Sequence, residues 1–90
     1  MTYRIEIERR AHQALGRLPK GDRIRVMTAI NSLAEDPRPV GCATVRAAPK
    51  GTYRIGVGDY RVIYVVLDDE QVIVVARVVR RSETSYRKPG

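Results

Sequence analysis

The chain has very little of several things. In 90 residues it holds one cysteine, Cys42, and one histidine, His12. A single cysteine excludes an intramolecular disulfide and any multi-cysteine metal site. Cys42 therefore reads as a small apolar filler. A metal site would have to be all-carboxylate, so neither a metal nor a cofactor is expected. A nucleophile–histidine relay would depend on His12 alone, which falls in a helical stretch far in sequence from the other polar candidates. No apolar run reaches the roughly 18 residues that span a bilayer. The start, MTYRIEIERR, is alternating and charged, unlike a secretory signal. These absences lead us to expect a cytoplasmic protein without membrane partners. Acidic residues are scarce too: ten, against 17 basic ones, for a net charge of +7. Lys20, Lys50 and Lys88 are the three lysines, so the other 14 basic residues are arginine.

What is present starts with that charge. A basic excess of this size points to a polyanionic partner. Arginine forks grip phosphate bidentately and keep their charge at any working pH. A GC-rich genome would also write arginine for lysine, so placement has to decide. Ninety residues make one domain, 1–90, with a modest core.

Thr2 to Glu8 alternates, with Tyr3, Ile5 and Ile7 on one side, which predicts a half-buried strand. From Arg9 to Leu18 the apolar residues Ala11, Ala14, Leu15 and Leu18 fall at helical intervals. Pro19 to Asp22 breaks that helix, and Asp22 is placed to cap the next one. The second helix runs to about Glu35 with a stripe of Ile24, Met27, Ile30, Leu33 and Ala34. Pro37 and Pro39 end it. Residues 40–52 read as irregular. Three strands follow: Tyr53–Val57, Tyr60–Leu67 and Gln71–Val79, joined by tight turns at Gly58-Asp59 and Asp68–Glu70. The predicted fold is α+β: an N-terminal strand, an αα-hairpin, then a three-stranded antiparallel meander, with two helices packed on one face of a twisted sheet. The partner of the first strand is not visible locally. The polar tail after Val79 is expected to be mobile at its end.

Side chains alternate along strands. The simplest assignment packs Tyr53, Ile55, Val57, Tyr60, Val62, Tyr64, Val66, Val72, Val74, Ala76 and Val78 against the helices. Arg54, Arg61, Arg77 and Arg81 then share the second face with Ile63, Val65 and Leu67. Arginines rising from a partly apolar floor suit a phosphate pocket. Arg46 and Lys50 would close one side, Arg80 would add charge beside Arg81, and Tyr86 would add a stacking surface or a phenol. Proton transfer needs a group that titrates near neutrality, and arginine is a poor base. Tyr86, Lys50 and Glu83 are the remaining candidates.

The block KGTYRIGVGDYRVIYVV, Lys50 to Val66, followed by VVRRSETSY, Val78 to Tyr86, resembles the RelE/ParE superfamily of toxins. LPKGDRIRVMTAINSLAEDP fits as well, so the resemblance covers nearly the whole chain. It implies a RelE-like toxin of a type II toxin–antitoxin system, neutralised by a cognate antitoxin in a complex that binds operator DNA. The ribonuclease branch implies cleavage of mRNA on the ribosome, with the 2′-hydroxyl attacking the adjacent phosphate. There Arg54, Arg61, Arg81 and Tyr86 match catalytic positions, and Arg46, Lys50, Arg77 and Arg80 are RNA-binding candidates. A lysine of the RelE prototype falls at Gly56. The motif Val79-Arg80-Arg81 lacks the glycine and the histidine found in some members. The ParE branch, which acts on DNA gyrase, shares the same core and is the alternative. A non-catalytic basic module is the third reading.

Overall fold

Eight residues, YRVIYVVL, set the centre of the molecule. In the computed structural model, which describes residues 2–81, they form β4 (Tyr60–Leu67). Tyr60, Val62, Tyr64 and Val66 are buried, and the residues between them are half-buried. The other strands are β1 (Arg4–Ile7), β2 (Ala43–Thr44), β3 (Thr52–Val57) and β5 (Val72–Arg80). The helices are α1 (Arg9–Gly16) and α2 (Lys20–Ser32). One mixed sheet runs in the order β1-β5-β4-β3-β2, and β3, β4 and β5 form the expected antiparallel meander. The first strand finds its partner across the whole chain: β1 lies parallel to β5, with Arg4 to Ile7 beside Val72 to Val75.

The core joins Ala11 and Leu15 of α1, and Val26, Ile30 and Leu33 from α2 and its C-terminus, to Ile55, Val62, Tyr64, Ile73, Val75 and Val78 of the sheet. Burying a Val, Leu or Ile side chain contributes about 1.5–3 kcal/mol, so these positions carry most of the fold. Among the described residues no helix is long and apolar enough to cross a membrane.

Three local expectations are corrected. Asp22 does not cap the second helix. That helix begins at Lys20 with Pro19 at its N-cap position and no side-chain cap. The Asp22 carboxylate instead accepts bonds from Arg25 (2.7 Å) and from the Tyr60 hydroxyl (3.1 Å). The α2 stripe is also rotated. Val26, with Ile30 and Leu33, faces the core, whereas Ile24 is 56% exposed. In β5 the helix-facing set is Ile73 and Val75, then Val78, not Val72, Val74 and Ala76. The cause is a bulge: Ile63 pairs with Arg77 but Tyr64 pairs with Val75, leaving Ala76 as the extra residue. A bulge inserts one residue and reverses the alternation beyond it. A fourth difference is β2, a two-residue strand inside the stretch read as irregular.

Candidate active site

The β3–β4 hairpin builds the site. Its two-residue turn uses Gly58, whose φ of +59° suits a residue without a Cβ. Cross-strand partners share a face. Arg54 stands opposite Ile63, which stands opposite Arg77; in the next row Gly56 meets Arg61, which meets Val79. The two Tyr-Arg pairs therefore put both arginines on the face away from the core. β5 ends beside the hairpin tip, where the Arg81 N–H donates to the Asp59 carbonyl (2.8 Å). That bond brings a third arginine to the same place.

Arg54, Arg61 and Arg81 line one open cavity of about 430 Å³, together with Gly41, Ala43, Ile55, Gly56 and Gly58. Among the described residues no carboxylate lines it. Arg54 and Arg61 are half-buried and make no ion pair among the described residues. Like charges converging on one hollow repel each other and favour an anion between them. A Cβ built on Gly56 meets nothing within 4 Å, so the missing side chain leaves the cavity floor open.

The other candidates are distributed around this cavity. Arg46 shares an adjoining recess with Thr44, Val45 and Arg54. Lys50, in the turn before β3, lines neither hollow. Arg77 and Arg80 line a separate groove beside α1, and Arg80 lies over the Tyr60 ring at 5.8 Å. Tyr86 and Glu83, and the tail expected to be mobile, lie outside the described residues.

Gly41 and Ala43 were not foreseen as walls of the site. They belong to the 36–43 segment, which is held by a staple of side chains. The Tyr64 hydroxyl donates to the Pro37 carbonyl (2.7 Å). Arg38 donates to the Tyr53 hydroxyl (3.1 Å) and to Asp68 (2.5 Å), and the Tyr3 hydroxyl donates to the other Asp68 oxygen (2.6 Å). Tyr53 stacks on Tyr64 with ring centroids 6.0 Å apart. Donation from Tyr3 and then from Arg38 holds the Asp68 carboxyl below its ordinary range. The same Asp68 bond pushes the Tyr3 phenol up, and burial, before anything else, raises Tyr64. No local pattern marks this staple, because its members come from the residue before β1, the 36–39 loop, β3, β4 and the β4–β5 turn.

Chemically, the cavity can seat a phosphodiester and stabilise extra negative charge on its oxygens. Arginine is the one charged side-chain type that lines it among the described residues. Among the described residues no cluster of three histidine, cysteine or carboxylate side chains could hold a metal ion.

Comparison with known proteins decides the family. The model for the ParE toxin of the parDE type II toxin–antitoxin system matches residues 5–84. The provisionally assigned toxin RelE1 of Methanocaldococcus jannaschii is 32% identical over 92 residues, covering 99% of this chain and 100% of that protein. The chain belongs to the RelE/ParE toxin superfamily. It is a RelE-like toxin of a type II toxin–antitoxin system. The fold agrees. RelE in the RelE–RelB complex of Pyrococcus horikoshii OT3 superposes with a TM-score of 0.79 at 31% identity, over 90% of this chain and 97% of that one. A free Escherichia coli RelE carrying two arginine-to-alanine substitutions gives 0.77 at 26% identity, over 94% of this chain and 88% of that one.

Proposed function

We propose that this toxin is a ribosome-dependent endoribonuclease that cuts mRNA at the arginine cavity. The observation that carries the reading is the convergence of Arg54, Arg61 and Arg81 on one hollow that no acid among the described residues lines. In the proposed step the ribose 2′-oxygen attacks the adjacent phosphorus, and the bond to the 5′-oxygen of the next nucleotide breaks. The 2′-proton leaves to solvent or to a group outside the cavity lining, and the departing oxygen gains a proton. The products are a 2′,3′-cyclic phosphate and a 5′-hydroxyl. The extra charge on the non-bridging oxygens falls between the arginines, where fixed cations stabilise the transition state more than the ground state.

Among the described residues the cavity lining draws its charge from arginine alone, which supports dependence on the ribosome. A site that supplies mainly charge gains most when another body holds the RNA in line for attack, since orientation alone can supply about 7–11 kcal/mol. The neutralising partner is a cognate antitoxin, in keeping with the RelB-bound relatives, and we extend to their complex the binding of operator DNA.

Cleavage of a defined mRNA in a translating extract tests this. Arg61→Ala and Arg81→Ala should each lower the rate by about 10²-fold, the usual loss for one transition-state donor. Full activity in both variants would sink the assignment. Supercoiling by DNA gyrase, measured beside it, should be unaffected by the protein.

A further inference from the structure

The arginine cavity does not end at Gly56. A second hollow of about 370 Å³ adjoins it, and Gly41, Ile55 and Gly56 line both. Three observations characterise this hollow. First, its walls are apolar: Ala29 and Leu33 at the end of α2, Pro39 and Val40 in the loop that follows, and Val57 of β3. Val40 is fully exposed, with nothing packed over it among the described residues. Second, the polar side chains that line it are hydrogen-bond acceptors. The Ser32 hydroxyl already donates its proton to the Thr28 carbonyl (3.0 Å), and the exposed Asp36 carboxylate makes no ion pair among the described residues. Neither residue lines the arginine cavity. Third, the sheet edge is open at the junction. β2 covers β3 only as far as the pair Ala43 and Arg54, so Gly56 has β4 on one side and no strand on the other among the described residues. The Val45 N–H donates to the Thr52 carbonyl (3.1 Å), and alternation along the strand turns the Gly56 N–H and C=O the same way, outward.

We infer that this hollow is a base subsite: it takes an unstacked nucleobase next to the phosphate held by the arginines, and Asp36 makes it prefer a base with an exocyclic amine over uracil. Single-stranded RNA is read by splaying bases out, packing their faces and bonding their edges. An apolar slot with a few fixed polar groups suits a flat, neutral heterocycle. Charge sorts the two ends of one nucleotide. The phosphate goes to Arg54, Arg61 and Arg81, and the neutral base goes to the side that holds a carboxylate, which repels phosphate. A carboxylate accepts from the amine of cytosine, adenine or guanine and repels the carbonyl that uracil puts in the same place. The Gly56 N–H and C=O lie between the two hollows and offer a donor and an acceptor to the sugar. The subsite rests on the RNA reading of the arginine cavity given above.

Fluorescent single-stranded oligouridylates that differ at one central nucleotide are the probes, titrated against the full chain without ribosomes and followed by anisotropy. The central nucleotide is uridine, cytidine, adenosine or purine riboside, the last being adenosine without its amine. Cytidine should bind about tenfold more tightly than uridine, and adenosine about tenfold more tightly than purine riboside, the discrimination of one carboxylate–amine pair. Asp36→Asn, at an exposed position, should bring both ratios close to one. Ala29→Leu fills the hollow without touching the carboxylate and should do the same, so the result does not hang on one variant. Arg61→Ala should weaken every probe and leave both ratios as in the parent. Ratios of one in the parent, or parental ratios in both Asp36→Asn and Ala29→Leu, would overturn the subsite; the second outcome would leave the hollow to a protein segment. These failures are distinct from that of the RNA reading itself, which shows as probes that do not bind or that bind equally well to Arg61→Ala, and which would take the subsite with it.

Discussion

Replacing Tyr64 with phenylalanine isolates one hydroxyl that ties the 36–43 segment to the sheet. Tyr64 is fully buried on the central strand, and its hydroxyl donates to the Pro37 carbonyl at 2.7 Å. Tyr64→Phe keeps the ring and its stacking on Tyr53, so packing is largely conserved. A net hydrogen bond is worth about 0.5–1.5 kcal/mol, and an acceptor left dry costs about 1–3 kcal/mol. Pro37 is half-buried, so water can partly replace the lost donor, and the expected loss is about 1 kcal/mol. For a domain of this size that lowers Tm by about 4–8 °C. The pH dependence adds a second signature. Burial raises the Tyr64 phenol above its ordinary value of 10.0. A raised folded-state value means that the stabilisation is fully present below the unfolded value and is lost as pH climbs past it. The parent should therefore weaken progressively above pH 10.0, and the phenylalanine variant should weaken less steeply there. Urea unfolding followed by far-ultraviolet circular dichroism measures both. A variant as stable as the parent at neutral pH, or one with the same alkaline slope, would refute the assignment of this hydroxyl.

Three further substitutions test other parts. Asp68→Asn removes the charge that Tyr3 and Arg38 hold in place. The depressed Asp68 value stabilises the fold above the ordinary carboxyl range and is lost as pH falls through it. The variant should therefore show a shallower acid-side loss of Tm than the parent, and matching acid profiles would count against the staple. Gly51→Ala forces a side chain onto a φ of +93° and within 3.3 Å of the Val66 carbonyl oxygen. It should cost about 1–3 kcal/mol in denaturant unfolding, and a neutral result would contradict that geometry. Gly56→Lys places a cation on the open floor of the cavity, where a Cβ meets nothing. It should leave Tm nearly unchanged and steepen the salt dependence of single-stranded RNA binding by about 0.7 in log–log slope, one phosphate contact more. An unchanged slope would place that residue outside the RNA path.

Much of the fold was legible where the signal is local. Alternation in Tyr60–Leu67 named the core face of β4 correctly, and the Gly58-Asp59 turn brought Arg54 and Arg61 onto neighbouring strands. The rest depended on contacts between distant residues. Nothing within Thr2–Glu8 says that its ladder partner is Val72–Val75, 68 residues further along the chain. Ala43–Thr44 becomes a strand only because β3 lies beside it. β5 is apolar on both faces, so its bulge at Ala76 leaves no mark in the pattern. Ile73 and Val75 were assigned to the wrong face, and Arg77, beyond the bulge, to the right one. In the same way Arg54, Arg61 and Arg81 could be proposed from alternation and spacing. The wall from Gly41 and Ala43 could not, since it depends on a staple gathered from five segments.

The central claim is that the arginine cavity acts on RNA. It is tested most directly by inducing the parent and Arg61→Ala in growing cells, then scoring mRNA integrity and plasmid supercoiling in the same samples. The account predicts fragmented mRNA with 5′-hydroxyl ends and normal supercoiling for the parent, and intact mRNA for the variant. Growth arrest with intact mRNA and relaxed plasmid would contradict it and assign the toxin to gyrase instead.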